Sequence, residues 1–310
     1  FNDVPFRASI GYNNTQGLVK TSDYNRLTAS VRLTPTYFDK HLKVDFNVKG
    51  IHSKKNAVDE GGSIGGVVNM DPTKPVYDNS PGNRFGGYYQ NLKFDGTSPN
   101  NGKYLLDGQW NPLAILEQRT RPERVYRLLG NIELDYKFHF LPDLRLYNNF
   151  GLDASRAVIS ENYSDNSIAT YRFDSSNNDP NTNYLFNPGR NYYEAQRITN
   201  TTWDTYLMYS KTLDGFLNKF DLQGGYSYQN FKNDGHRDNY QYNTDTGVRE
   251  LVINEQNPNN RYFNVLNLQS FFGRTNIDLA KKYLFTFSFR ADASSLFNKD
   301  RRWGYFPAAA

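Results

Sequence analysis

The segment Leu42-Lys-Val-Asp-Phe-Asn-Val-Lys49 sets Leu42, Val44, Phe46 and Val48 on one side of an extended chain and Lys43, Asp45, Asn47 and Lys49 on the other. Successive side chains of a strand point to opposite faces, so this segment has one apolar and one charged surface. A single strand of this kind fits a soluble sandwich as well as a membrane barrel. How often the pattern recurs, and what joins its copies, separates the two.

The pattern recurs. Ile132, Leu134, Tyr136 and Phe138 oppose Glu133, Asp135 and Lys137, and a tight turn at Phe140-Leu-Pro-Asp143 follows. On the return, Leu144, Leu146, Phe150 and Leu152 oppose Arg145, Tyr147, Asn149 and Asp153. Trp203, Thr205, Leu207 and Tyr209 then alternate with Asp204, Tyr206, Met208 and Ser210. Phe220, Leu222, Gly224, Tyr226 and Tyr228 do the same after a turn near Asp214-Gly215. A last pair spans 264–279 and 284–292, and 6–12 and 25–37 are extended in character. The sum is about nine strands and the start of a tenth, within the usual range for barrels. Phe271-Phe272 interrupts the alternation, which predicts a bulge or a slip there.

The connections fall into two classes that alternate along the chain. Tight turns of a few residues separate longer polar loops near 55–123, 164–192 and 232–261. An outer-membrane barrel does this because one rim carries short periplasmic turns and the other long external loops. A soluble sandwich has no reason to segregate loop length. Tyr37, Phe38, Phe138, Phe140, Phe216, Phe220 and Tyr283 crowd the short-turn ends, where an interfacial aromatic girdle belongs. The fold class is therefore all-β, part of a transmembrane antiparallel β-barrel. On this face assignment Phe46→Arg and Leu134→Arg should be costly, whereas Asp45→Arg and Asp135→Arg on the lumen side should be mild.

Composition agrees. The 310 residues include 24 Tyr and 22 Phe but no Cys, with a mean hydropathy of −0.78 and a net charge of +4. No apolar run of about 18 residues exists, so no spanning helix is expected, while an alternating barrel keeps its mean hydropathy low. Disordered chains are poor in aromatics, and this one is not. The absence of Cys removes disulfides, thiolate metal sites and thiol nucleophiles. The charge balance asks for no nucleic-acid partner. Opening on Phe1 without a Met and closing on Phe306-Pro-Ala-Ala-Ala310, the sequence reads as a piece of something longer.

Particular residues are familiar. Asn111-Pro-Leu-Ala-Ile-Leu-Glu117, Arg127-Leu-Leu-Gly-Asn131, and above all Arg290-Ala-Asp-Ala-Ser-Ser-Leu-Phe297 followed by Arg302-Trp-Gly-Tyr-Phe-Pro-Ala308 resemble the SusC/RagA family. These are TonB-dependent transporters of Bacteroidota outer membranes. The resemblance covers essentially all of the chain but only part of a family member, roughly the first half of a barrel wall of 22 strands, without the plug. It implies uptake of oligosaccharides or oligopeptides, driven through TonB-ExbB-ExbD by way of a plug and N-terminal segment. It also implies a SusD-like surface lipoprotein as lid, and allows a dimer of such pairs.

Candidate binding residues lie in the longest loop. Sugar recognition needs flat aromatic faces and amide groups, which Tyr88, Tyr89, Gln90, Asn91, Trp110 and Asn111 offer. The same residues equally suit a loop packed on itself or on a partner. Arg119, Arg121, Arg124 and Arg127 form a basic run that could read carboxylates, or else line a solvated lumen. Tyr88, Tyr89, Trp110, Asn111 and Arg119 are the substrate-binding candidates. Asp174 to Asp179 and Asn243 to Gly247 lack calcium-loop spacing and read as solvated turns. Gly61-Gly-Ser-Ile-Gly-Gly66 has no βαβ unit around it. His41, His52, His139 and His236 are scattered, so no metal, cofactor or catalytic set is expected. An adhesin or a secretion-machine barrel is the alternative to an importer.

Overall fold

The computed structural model describes residues 4–97, 102–243, 245–253 and 255–310. Ten strands form one continuous antiparallel wall, each paired with its sequence neighbour. They are β1 (Phe6–Gln16), β2 (Asp23–Leu33), β3 (Leu42–Asn56), β4 (Pro122–Phe138) and β5 (Leu141–Tyr163), then β6 (Gly189–Thr212), β7 (Leu217–Asn243), β8 (Arg261–Leu279), β9 (Tyr283–Ser294) and β10 (Trp303–Ala309). The tenth strand, of which the sequence shows only a start, is complete enough to pair along β9 from Phe287↔Ala309 to Ala293↔Trp303.

Register fixes the two faces. Phe46 stands opposite Leu33 and Ile132, Ile132 opposite Phe150, and Phe150 opposite Trp203. The neighbouring row joins Asp45, Glu133, Asn149, Asp204, Ser227, Ser270 and Asp292. Directly opposed residues share a face, so one side of the wall is apolar and the other polar over the same strands. The apolar side is the lipid face of a barrel and the polar side its lumen.

Two aromatic ladders stiffen the wall. On the apolar face Phe150, Trp203, Tyr226, Phe271 and Trp303 follow one another at centroid distances of 5.9, 5.7, 5.1 and 6.0 Å. In the lumen Tyr147 stacks on Tyr206 at 4.7 Å, and Tyr206 meets Phe272 at 6.1 Å across Gly225. Phe271 and Phe272 thus point to opposite faces, one in each ladder. The expected bulge is absent: β8 runs in unbroken register past both β7 and β9 here. An inward aromatic is tolerated because the facing Gly225 has no side chain.

Acid–base pairs cross the lumen face. Arg32 grips Asp45 through Nε at 2.9 Å and Nη2 at 2.5 Å, and Arg145 grips Asp135 in the same two-pronged way. This corrects the expectation that Asp45→Arg and Asp135→Arg would be mild. Each would set two guanidinium groups against each other and strand a cation, and Asp135 is itself buried.

The rims sort as expected. Turns at 34–41, 139–140, 213–216 and 280–282 share one rim, and Phe38, Phe140, Phe216 and Tyr283 are exposed there. Ala280 and Lys281 both have φ of +54°, the left-handed pair that closes a tight hairpin. His41 and His139, on adjacent turns, stack at 4.0 Å. At the other rim, however, β7 continues to Asn243, well into the loop expected at 232–261. Beyond the bilayer both faces are polar, so backbone pairing persists where the alternation that reveals it has ended.

Candidate functional site

The described residues of 57–121 and 164–188 build one lobe on the long-loop rim, with helices α1 (Glu60–Asn69) and α2 (Pro112–Glu117). Neither helix shows in the sequence, because four glycines in α1 and the brevity of α2 hide their periodicity. Asp59 starts α1 by accepting from the Gly62 amide at 2.9 Å. Gly66 brings the helices together, since a Cβ there would lie 3.1 Å from the Pro112 ring. Asn111 starts α2 by accepting from the Leu113 and Ala114 amides, and donates to the Val76 and Tyr89 carbonyls at 2.7 and 3.0 Å.

Phe85, Ala114, Ile168 and Tyr171 form the lobe's core, with Tyr88, Leu92, Leu106, Tyr184 and Phe186 packed around it. Arg84 lies over the rings of Tyr104 and Tyr184 at 4.9 and 4.3 Å and donates to the Tyr171 hydroxyl. Gln118 is the knot between the two segments. Its amide nitrogen donates to the Phe85 and Asn166 carbonyls and its oxygen accepts from the Ile168 amide.

A three-part clamp ties the lobe to the β1–β2 turn. The Glu117 carboxylate accepts from both the Tyr88 hydroxyl and Lys20. Lys20 and then Tyr88 hold the Glu117 carboxyl below its ordinary value near 4.5. Burial, then the bond to Glu117, pushes the Tyr88 phenol up to about 12. Glu117 raises Lys20 above its ordinary 10.5. The signs define a window. A lowered carboxyl contributes above about pH 4.5 and loses its contribution as pH falls through its folded value. The raised phenol contributes below about pH 10 and loses its contribution as pH rises through about 12. Amide hydrogen exchange over 84–89 and 111–118 is therefore expected to be slowest between about pH 5 and 10 after correction for intrinsic rates. Protection that stays flat from pH 7 to pH 3 would remove the clamp.

The sequence-predicted residues divide. Trp110 and Arg119 line one crevice of about 330 Å³ together with Gln118, Tyr163 and Ser167. Tyr88 and Tyr89 do not line it. Both are half-buried, and the Tyr88 hydroxyl is spent on Glu117. Asn111 is buried with its side chain fully bonded to backbone, so it holds the lobe together and has no amide to spare. The basic run is not a cluster. Arg119 donates to Glu161 at 2.5 Å, with Arg121 Nε 3.7 Å from the same carboxylate. Arg127 turns to the lumen and binds Asp153, while Arg124 lies on the opposite face. Of the calcium-like turns, Asp174 accepts from Ser176, and Thr244 of the other lies outside the described residues.

No protein-family model matches the chain. The TonB-dependent receptor SusC of Bacteroides thetaiotaomicron is 37% identical over 320 residues, which span 100% of this chain and 29% of the relative. TonB-dependent receptor P3 of Formosa agariphila is 28% identical over 315 residues, or 97% of this chain and 28% of its own length. The RagAB peptide importer superposes in its open-open state with a TM-score of 0.69, at 17% identity, over 99% of this chain and 32% of that one. Fold, face assignment and rim pattern together with these likenesses make the protein an outer-membrane β-barrel of the TonB-dependent receptor type. Within that class, the chain resembles a length of the SusC barrel wall in sequence and of the RagAB importer in fold. It spans less than a third of the relatives it matches.

Proposed function

We propose that the whole protein imports a nutrient oligomer, an oligosaccharide or oligopeptide, under TonB drive and together with a SusD-like lipoprotein. The observation that carries this is the match to SusC along the entire wall, loops included. A structure superposing on this chain belongs to a protein described as a peptide importer, which supports import as the activity. The lobe supplies a fitting receptor surface. Its crevice offers the Trp110 indole and Arg119, whose guanidinium the buried Glu161 holds from behind, so a ligand meets an apolar plane and a positioned cation. Such a mixture suits amphipathic oligomers, whose ring faces or side chains stack while their polar groups accept hydrogen bonds from the guanidinium.

The test is native purification of the full-length protein from outer membranes, with mass spectrometry of whatever accompanies it. A SusD-like lipoprotein and a bound oligosaccharide or peptide are the expected companions. A barrel that arrives without either, from cells growing on the nutrient, would count for an adhesin or a secretion component. Once the cargo is known, Trp110→Ala is expected to weaken its capture roughly tenfold, equivalent to about 1.4 kcal/mol. Unchanged capture would move the site elsewhere in the mouth.

A further inference from the structure

The lipid face carries a second pattern, independent of the lobe and of import. On each strand from β3 to β8, climbing from the short-turn rim, the first Lys, Arg, Asp or Glu met on the apolar face above Lys211 is a cation. These are Lys54, Arg124, Arg156, Arg197, Lys232 and Arg261 in turn. Lys211 itself stands at the rim and is tied to Asp143. Among the described residues none of the six enters an ion pair. Two pairs stand directly opposite each other in register, Lys54 with Arg124 and Arg156 with Arg197. Like charges so placed destabilise a sheet unless something anionic lies between them. The carboxylates near them on this face are Asp23, diagonal to Lys54, Asp234, opposite Arg197, and Asp238 above it, which contacts His236 at 3.7 Å. Six cations outnumber them.

Height narrows the ligand. Arg156 and Arg197 stand about 15 residues above their short turns, which at about 3.3 Å per residue and a tilt near 45° is roughly 35 Å. The apolar band of such a barrel is about 25 Å tall, and hydrocarbon with both headgroup layers about 40–45 Å. The cations therefore lie in the outer headgroup layer. A crevice of about 530 Å³ opens beside them: Leu27, His52 and Tyr126 stand in the same row as Arg156 and Arg197, with Leu128 and Ala154 one step below. The ring of His52 stacks on Tyr126 at 4.3 Å, and its Nδ1 is buried without a hydrogen-bond partner. A second crevice of about 360 Å³ shares the same two arginines and reaches Arg261.

We infer that Arg156 and Arg197, flanked by Lys54 and Arg124, bind the phosphate of a phosphorylated glycolipid of the outer leaflet. The apolar crevice beside them receives one of its acyl chains. The phosphate offers the acceptor oxygens that opposed guanidinium groups need, and a lipid alone presents it at this height with hydrocarbon beneath.

Native mass spectrometry of the full-length protein in detergent tests this. The probes are lipid A with its phosphates, the same lipid dephosphorylated, and inorganic phosphate. Phosphorylated lipid A should bind at least tenfold better to the parent protein than to the Arg156→Gln/Arg197→Gln variant, and the dephosphorylated lipid should bind no better than to that variant. Millimolar inorganic phosphate should leave the adduct in place. Equal retention by parent and variant, or equal binding of the dephosphorylated lipid, overturns the assignment. Displacement by inorganic phosphate overturns the lipid as its source. Lys54→Gln/Arg124→Gln repeats the measurement should the first variant fold poorly, and Lys49→Gln on the lumen face should bind as the parent does.

Discussion

Leu134→Arg is expected to destabilise the barrel by roughly 2–4 kcal/mol, the cost of placing a cation at mid-depth on a lipid-facing strand position. Leu134 pairs with Val44 on one side and Asn148 on the other, near the middle of the apolar band, where no carboxylate on the same face can compensate. Phe46→Arg should behave alike, since Phe46 lies between Leu33 and Ile132. Reversible unfolding of the full-length protein in lipid vesicles by denaturant measures both. The informative comparison is Lys49→Gln, on the lumen face of the same strand, which should stay within about 0.5 kcal/mol of the parent. Asp45 and Asp135 cannot serve as lumen controls, because each holds an arginine. If Leu134→Arg unfolded at the same denaturant concentration as Lys49→Gln, the assignment of faces would be wrong.

Gly225→Ala should cost about 1–3 kcal/mol, the penalty for forcing volume into a packed site. A Cβ at Gly225 would come within 2.4 Å of the Thr205 carbonyl oxygen and of the Tyr206 Cβ, and within 2.9 Å of the Phe272 ring. The carbonyl is backbone and cannot step aside without breaking the β6–β7 ladder. Gly224→Ala, one residue earlier and on the lipid face, meets nothing nearer than 3.9 Å and should be nearly neutral. The same denaturant titration reads both. Equal midpoints for the two alanine variants would mean that the lumen aromatics close over Gly225 less tightly than their centroids indicate.

How much of this was legible in the sequence follows from what the bilayer imposes. Between the rims every strand has a lipid side and a water side, and the alternation of Leu42 to Lys49 or Ile132 to Phe138 records that demand directly. The strand order, the faces and the short-turn rim could therefore be read. Above the bilayer the demand lapses. The upper part of β7 looks like loop, and α1, written with Gly61, Gly62, Gly65 and Gly66, has too little helical propensity to announce itself. Phe271-Phe272 misled for a different reason. The alternation counts side chains on one strand, whereas what admits Phe272 to the lumen is a missing side chain on the strand beside it. At the candidate site, Trp110 and Arg119 were found by residue type. Gln118, which joins the two loop segments, was not, because an isolated Gln carries no pattern. The six cations of the lipid face are visible in the sequence once strand parity is known, but no short motif marks them.

The knot at Gln118, added to the core the two loops share, has a consequence for how those loops can be exchanged. Because one side chain is bonded to 85, 166 and 168 at once, neither loop keeps its shape if the other is replaced. A graft that moves 57–121 into a related barrel without 164–188 would carry half a fold and leave the Gln118 side chain without the Asn166 carbonyl and the Ile168 amide. The two stretches, separated in sequence by the β4–β5 hairpin, form one structural cassette, to be exchanged or to drift as a pair.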